Sequence, residues 1–271
     1  MKQYVLAATV AAGIVVGLTQ TGCNPVTKLA RSPLIADRDS AAFALYRAGK
    51  YANASLLFEE LLGVYRNTPR AEEILYCYAT SLFRSRDYIS AGHHYQTLAE
   101  QYSNGKYAQE ALYTVGMCHY NLASDFDLDQ AETLKAIESF QLFVGVYPDA
   151  PQVKELNDRV RELRDRLARK SFYNAELYYN IGQYKAGVTA AKVTMAEFPD
   201  SKYRENAQLL LFQSQTAYAE NSIPARQRER FTEALTYYNQ FVRRYPQSKF
   251  LREVERLKAN IDRQLERLPP A

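Results

Sequence analysis

The chain has no tryptophan, and its 271 residues include only three cysteines, three histidines, three methionines, 11 glycines and 10 prolines. Each shortage removes a class of explanation. The thiols at Cys23, Cys77 and Cys118 are too few for a disulfide-stapled fold and lack the spacing of a zinc site. Of the histidines, His93 and His94 are adjacent and point about 100° apart on a helix, which suits two packed or surface imidazoles better than one metal. There is no phosphate loop, nucleophile elbow or dinucleotide fingerprint, and no carboxylate pair is spaced for acid and base work. The reading is therefore of a non-enzyme with no cofactor and no metal. Charge of one sign is also lacking: 34 Lys and Arg are interleaved with 30 Asp and Glu, for a net charge of +4. A phosphate backbone needs a single-sign stripe, so nucleic acid is not an expected partner.

What is present is 47% hydrophobic content, enough for a sizeable core, with 24% charged residues. Helix formers dominate and strand-like alternation is missing, so the expected fold class is all-α. The 22 tyrosines are the one large excess.

The N-terminus is a separate object. Lys2 precedes an apolar stretch from Tyr4 to Leu18, the length of a secretory h-region and shorter than the roughly 20 residues of a membrane span. Thr21-Gly22-Cys23 follows and resembles a bacterial lipobox. Residues 1–22 are thus read as a lipoprotein signal peptide and Cys23 as the lipidated residue. Acyl chains contribute about 0.8 kcal/mol per buried methylene, so two or three of them anchor a protein durably. Asn24, which is not the Asp of inner-membrane retention, favours the outer membrane. Residues 23–36, with Pro25 and Pro33, read as a tether.

From there the sequence repeats. Ala42, Tyr46, Arg47, Tyr51, Ala54, Phe58 and Leu61, shifted by 37, become Ala79, Phe83, Arg84, Tyr88, Ala91, Tyr95 and Leu98. A third pass meets Gly116, Tyr120 and Asn121 before the register breaks at Ser124 to Gln130. Later second helices show a small residue followed by larger ones and a Pro, as in Ala136, Phe140, Phe143 and Pro148, in Gly187, Ala191, Thr194 and Pro199, and in Ala234, Tyr238, Phe241 and Pro246. The small residue permits close helix approach, the rings fill the gap to the next repeat, and Pro ends the helix. The expected architecture is a tetratricopeptide-repeat solenoid of about five hairpins, repeats 1–3 over 37–150 and repeats 4–5 with a capping helix over 151–271. Tyrosine recurs because each repeat needs a large ring whose hydroxyl reaches water or a backbone group. Two insertions are expected as loops between the helices of a repeat, Ser124 to Gln130 and Asn221 to Arg230. Val153, Leu156, Val160, Leu163 and Leu167 form a stripe that packs within the solenoid or, alternatively, in a short coiled coil with a partner. Cys77 and Cys118 are expected as separate core thiols rather than a bridge.

The first helices of such hairpins line a concave face. Phe43, Tyr46 and Arg47 share helix positions with Thr80, Phe83 and Arg84 and with Met117, Tyr120 and Asn121. With Tyr76 and Tyr113 they form the candidate substrate-peptide groove. Rings would accept an apolar side chain and Arg47 and Arg84 a carboxylate such as a peptide C-terminus. The competing reading is that the rings pack between repeats and the arginines are merely solvated.

The lipidated Cys23, five hairpins, the aspartate-bearing insertion before Ala136-Ile137-Glu138-Ser139-Phe140, and Arg166-Leu167-Ala168-Arg169 leading to Ala175-Glu176-Leu177-Tyr178-Tyr179 together resemble the BamD family, tetratricopeptide lipoproteins of the outer-membrane β-barrel assembly machinery. The resemblance implies a scaffold on the periplasmic face of the outer membrane, held there by its lipid. Its C-terminal repeats would bind the barrel-insertase subunit, alongside other assembly lipoproteins, and its N-terminal repeats would receive the C-terminal signals of unfolded outer-membrane proteins. It also implies that Arg204, after Pro199-Asp200-Ser201, faces the insertase. The alternative function is a tetratricopeptide lipoprotein adaptor for cell-wall or division machinery.

Overall fold

The computed structural model describes residues 25–269, so the signal-peptide segment and Cys23 lie outside the described residues. Among the described residues twelve helices follow one another: α1 Pro25–Ala30, α2 Ile35–Arg47, α3 Tyr51–Tyr65, α4 Ala71–Arg84, α5 Tyr88–Gln101, α6 Ala108–Leu122, α7 Ala131–Val146, α8 Val153–Asn180, α9 Tyr184–Glu197, α10 Arg204–Glu220, α11 Pro224–Arg244 and α12 Leu251–Arg267. Helices α2 to α11 pair as five antiparallel hairpins, each packing on the next, and α12 closes the stack. The protein is a tetratricopeptide-repeat solenoid.

The repeated residues are what join the repeats. Ala42, Ala54, Ala79 and Ala91 are fully buried where helices cross, and Phe58 and Tyr95 fill equivalent places beside them. Full burial of each such ring stabilises the stack by about 1.5–3 kcal/mol. Tyr46 meets Tyr51 edge-on at 5.6 Å, and Phe83 meets Tyr88 the same way at 5.4 Å. The turn between them needs one left-handed residue, which is Gly49 (φ 70°) in the first hairpin and Arg86 (φ 66°) in the second. Backbone bonds from Gly49 N to Tyr46 O and from Lys50 N to Leu45 O close the first helix; Arg86 and Asp87 repeat the pattern.

Helix α8 joins two halves. Its Leu156 and Leu163 are fully buried with Phe140 and Phe143 of α7, whereas its Phe172 and Ala175 belong to the C-terminal cluster of Phe212, Phe231 and Phe241. Val153, Val160 and Leu167 pack partly against the first set, so the stripe is internal to the solenoid. The 150/151 boundary read from the sequence therefore falls just before a helix that both halves share.

Two expectations change. The segment read as a tether is partly folded: α1 is helical, and Leu29 and Ala30 pack against the first core cluster. Of Asn221 to Arg230 only the first three residues connect helices: Pro224 occupies the first turn of α11, where its missing N–H costs nothing, and the residues after it lengthen that helix. Within the added turns, Arg228 donates to the carbonyls of Leu265 (3.0 Å), Leu268 (2.6 Å) and Pro269 (2.8 Å), capping the C-terminal end of α12. The first insertion is an ordered loop. The buried Gln130 amide donates to the Asp125 and Leu128 carbonyls, Arg166 of α8 donates to Ser124 O (2.9 Å), and the Arg169 guanidinium lies 3.7 Å from the Phe126 ring centre. Cys77 and Cys118 are free and buried, and burial pushes both thiols up to about 12.

Candidate functional site

Between the second and third repeats the solenoid holds a cavity of about 510 Å³. Its walls come from α4 (Thr80, Phe83, Arg84), from α6 (Gln109, Glu110, Tyr113, Thr114, Met117), and from Tyr95, Lys106 and Gln152. The floor is built first. Tyr95 is fully buried and its hydroxyl lies 2.8 Å from Thr80 Oγ1, so the inner wall has no loose polar group at that point. Burial, before any charge, raises the Tyr95 phenol well above its ordinary value and keeps it neutral. Phe83, Tyr113 and Met117 are half-buried beside it and present apolar surface.

The rim is polar and prearranged. Tyr76 of α4 stacks on Tyr107 with ring centres 4.0 Å apart and donates its hydroxyl to Glu110 Oε1 at 2.8 Å. Burial and that carboxylate both raise the Tyr76 phenol. The Tyr107 N–H is held by Glu72 Oε1 (3.1 Å), and the Lys106 ammonium lies 5.0 Å from the Tyr107 ring centre. The two cations on the lining, Arg84 and Lys106, form no ion pair among the described residues, although eleven Lys or Arg pairs with carboxylates occur elsewhere among them. Unpaired cations above an aromatic floor can take a carboxylate attached to an apolar or aromatic body.

The residues expected in the groove separate into three groups. Phe83, Arg84 and Tyr113 line the cavity, and Tyr76 supports it through Glu110. Phe43 and Tyr46 instead pack edge-on to Phe58 at 5.2 and 6.0 Å, and the exposed Arg47 donates Nε to Phe43 O of its own helix. Here Arg70, paired with Asp39 at 2.6 Å, lies 5.5 Å from the Phe43 ring centre and covers it. Tyr120 and Asn121 also stand apart. The Tyr120 hydroxyl donates to Glu162 (3.0 Å) beneath the Arg159 guanidinium, and Asn121 Nδ2 donates to Met117 O (2.7 Å).

Lys106, Gln109, Glu110 and Gln152 were not anticipated. One signal was available for Lys106. The pairs Lys106-Tyr107 and Lys202-Tyr203 precede the first helix of a hairpin and Lys249-Phe250 precedes the capping α12, and in all three the ammonium lies 4.9 to 5.6 Å from the ring centre. For Gln152, far along the chain from α4, no local signal exists.

Arg204 opens α10 and lines a second cavity of about 440 Å³ with Met195, Gln208, Gln240, Arg243 and Arg244. Its Nη1 donates to Pro199 O (2.7 Å), while its Nε is buried with no acceptor among the described residues. Three guanidinium groups with no carboxylate on the lining make this cavity strongly positive.

No helix of the described residues is long and apolar enough to cross a membrane. No curated protein matches the chain in sequence. Among solved structures, the TPR2AB domain in the pHSP90 complex of yeast Sti1 is similar, at 14% identity and a TM-score of 0.39, over 84% of this chain and 98% of that one. A tetratricopeptide-repeat model matches residues 225–248, which include most of α11. A second family model, described as outer membrane lipoprotein, matches residues 39–230, from the first hairpin into α11. On that match the chain belongs to the YfiO family of outer membrane lipoproteins.

Proposed function

We propose that this protein is a scaffold of the β-barrel assembly machinery, anchored by lipid on Cys23 at the periplasmic face of the outer membrane. In this role it receives the C-terminal ends of unfolded outer-membrane proteins in the cavity between repeats 2 and 3. It holds the barrel-insertase subunit at its C-terminal repeats. The observation that carries the reading is the pairing of an aromatic floor with two unpaired cations, Arg84 and Lys106, in one cavity. A terminal ring has Phe83, Tyr113 and Met117 to lie on, and the chain-end carboxylate has Arg84 and Lys106. The Arg204, Arg243 and Arg244 cavity supports docking of an acidic surface at the other end of the array.

The test is binding of a peptide with a free C-terminal Phe, measured by fluorescence anisotropy. Amidation of its terminus, or Arg84→Glu with Lys106→Glu, should each lower affinity at least about tenfold, since a charged hydrogen bond contributes about 1.5–3 kcal/mol. Equal affinity for free and amidated ends would overturn the substrate assignment. Crosslinking that captures cell-wall synthases instead of an insertase at Arg204 would overturn the docking assignment.

A further inference from the structure

Cys23 lies two residues before Pro25, where α1 begins. Two links of chain span at most about 7 Å, and α1 packs on α2 with Leu29 and Ala30 against the first core cluster. Acyl chains on Cys23 would therefore bring the bilayer to the first hairpin itself, not to the end of a loose linker. The end of that hairpin next to α1 has the composition of an interfacial surface. Leu34 and Ile35, where α2 starts, are 63% and 41% exposed. The Arg38–Glu60 pair at 2.8 Å sets the antiparallel register of α2 and α3, and one turn further toward α1 that register puts Val64, 44% exposed, beside Ile35. Lys28 of α1, Arg31 after it and Arg66 at the end of α3 are exposed and form no ion pair among the described residues. The carboxylates nearby are engaged: Glu60 by Arg38, Asp39 by Arg70, and the half-buried Asp37 by the Ser32 hydroxyl at 2.6 Å.

We infer that this end of the first hairpin seats on an anionic phospholipid surface, with Leu34, Ile35 and Val64 entering the interface and the three cations meeting headgroup phosphates. The seating rests on the lipid-anchor reading of Cys23. Apolar burial and attraction to anionic lipid add in interfacial binding, and each cation near such a surface favours it about fivefold. The anchor supplies the bilayer at high effective concentration, which selects it over a protein as the occupant. A flexible tether would leave the array free to swing. Seating instead fixes which end faces the bilayer, and with it the orientation of the cavity between repeats 2 and 3.

The test uses the lipoprotein purified with its acyl groups and reconstituted into phosphatidylcholine vesicles with or without phosphatidylglycerol. A dye is attached at Ala36→Cys, beside the surface, or at Gln247→Cys, in the turn before α12. Both positions are exposed, whereas Cys77 and Cys118 are buried and stay unlabelled. A phospholipid with a nitroxide on its headgroup serves as quencher. In anionic vesicles position 36 should be quenched and position 247 should not. Combining Lys28→Glu, Arg31→Glu and Arg66→Glu, or omitting phosphatidylglycerol, should lower the quenching at 36 at least about twofold while the protein still floats with the vesicles. Leu34→Ser with Ile35→Ser, which leaves every charge in place, should act in the same direction, and an unchanged urea midpoint checks the fold of each variant. Acylated protein in which position 36 is quenched no more than 247, or equally in wild type and both variants, would overturn the seating and leave the anchor reading intact. Mass spectrometry showing Cys23 without acyl groups would overturn both.

Discussion

Gly116→Ala tests whether the walls of the cavity depend on close packing behind them. Gly116 lies on α6 between Tyr113 and Met117, and a Cβ built there would sit 2.5 and 2.6 Å from two ring carbons of Phe140 and 3.4 Å from Ser139 Cβ. Carbons in contact prefer about 3.5–4.0 Å, so the overlap is about 1 Å. Phe140 is fully buried, so its ring cannot relieve the overlap by swinging out into solvent. Overpacking of this size costs about 1–3 kcal/mol, and the better helix propensity of Ala returns about 0.5–1. The net expectation is a loss of up to about 2.5 kcal/mol, read in urea unfolding as a lower midpoint with an unchanged slope. Because α6 carries Tyr113 and Met117, peptide affinity should fall as well. The decisive control is Phe140→Leu, which shortens the obstructing side chain. In that background Gly116→Ala should cost nothing or become stabilising, giving a coupling energy well above the about 0.5 kcal/mol expected of independent sites. A rise in midpoint for Gly116→Ala alone, or strict additivity with Phe140→Leu, would refute the argument.

Three further perturbations probe other parts of the molecule. Arg86 sits at φ 66° where the first hairpin has Gly49, so Arg86→Gly should stabilise by about 1 kcal/mol in thermal melts, whereas Gly49→Ala should destabilise by a similar amount. His94 lies against Tyr78, with ring centres 4.6 Å apart, and burial followed by its neighbour His93 lowers its pKa below the ordinary 6.5. A lowered folded value means that the unfolded chain binds the proton more readily. The stability tied to neutral His94 is therefore present above pH 6.5 and lost as pH falls through the folded pKa below that value. The pH dependence of the melting temperature in that range should flatten in His94→Gln. Arg228→Ala removes three bonds to the end of α12 and should cost about 1–2 kcal/mol, seen as faster amide exchange across residues 251–267 without change in the first three hairpins.

Much of the fold was legible because its causes are local. A small residue at one position and rings four and seven residues later recur within single helices, and they dictate hairpin packing wherever they occur. The buried alanines, the α8 stripe and the capping α12 were readable on that basis. Pro224 misled because a proline both breaks a helix and starts one, and only the path of the backbone distinguishes the two.

What the sequence by itself determined was the all-α repeat architecture, its hairpin count and the kind of residue on each helix face. The tertiary structure alone decided which of those faces stays open. Arg47 and Arg84 occupy one repeat position, yet Arg84 lines a cavity, while the Phe43 beside Arg47 is packed on Phe58 and covered by Arg70. The cavity draws on α4, α5, α6 and Gln152, the residue preceding α8, segments up to 72 positions apart from Thr80 to Gln152. Whether a charge there is paired depends on distances between repeats, which no spacing along one helix encodes.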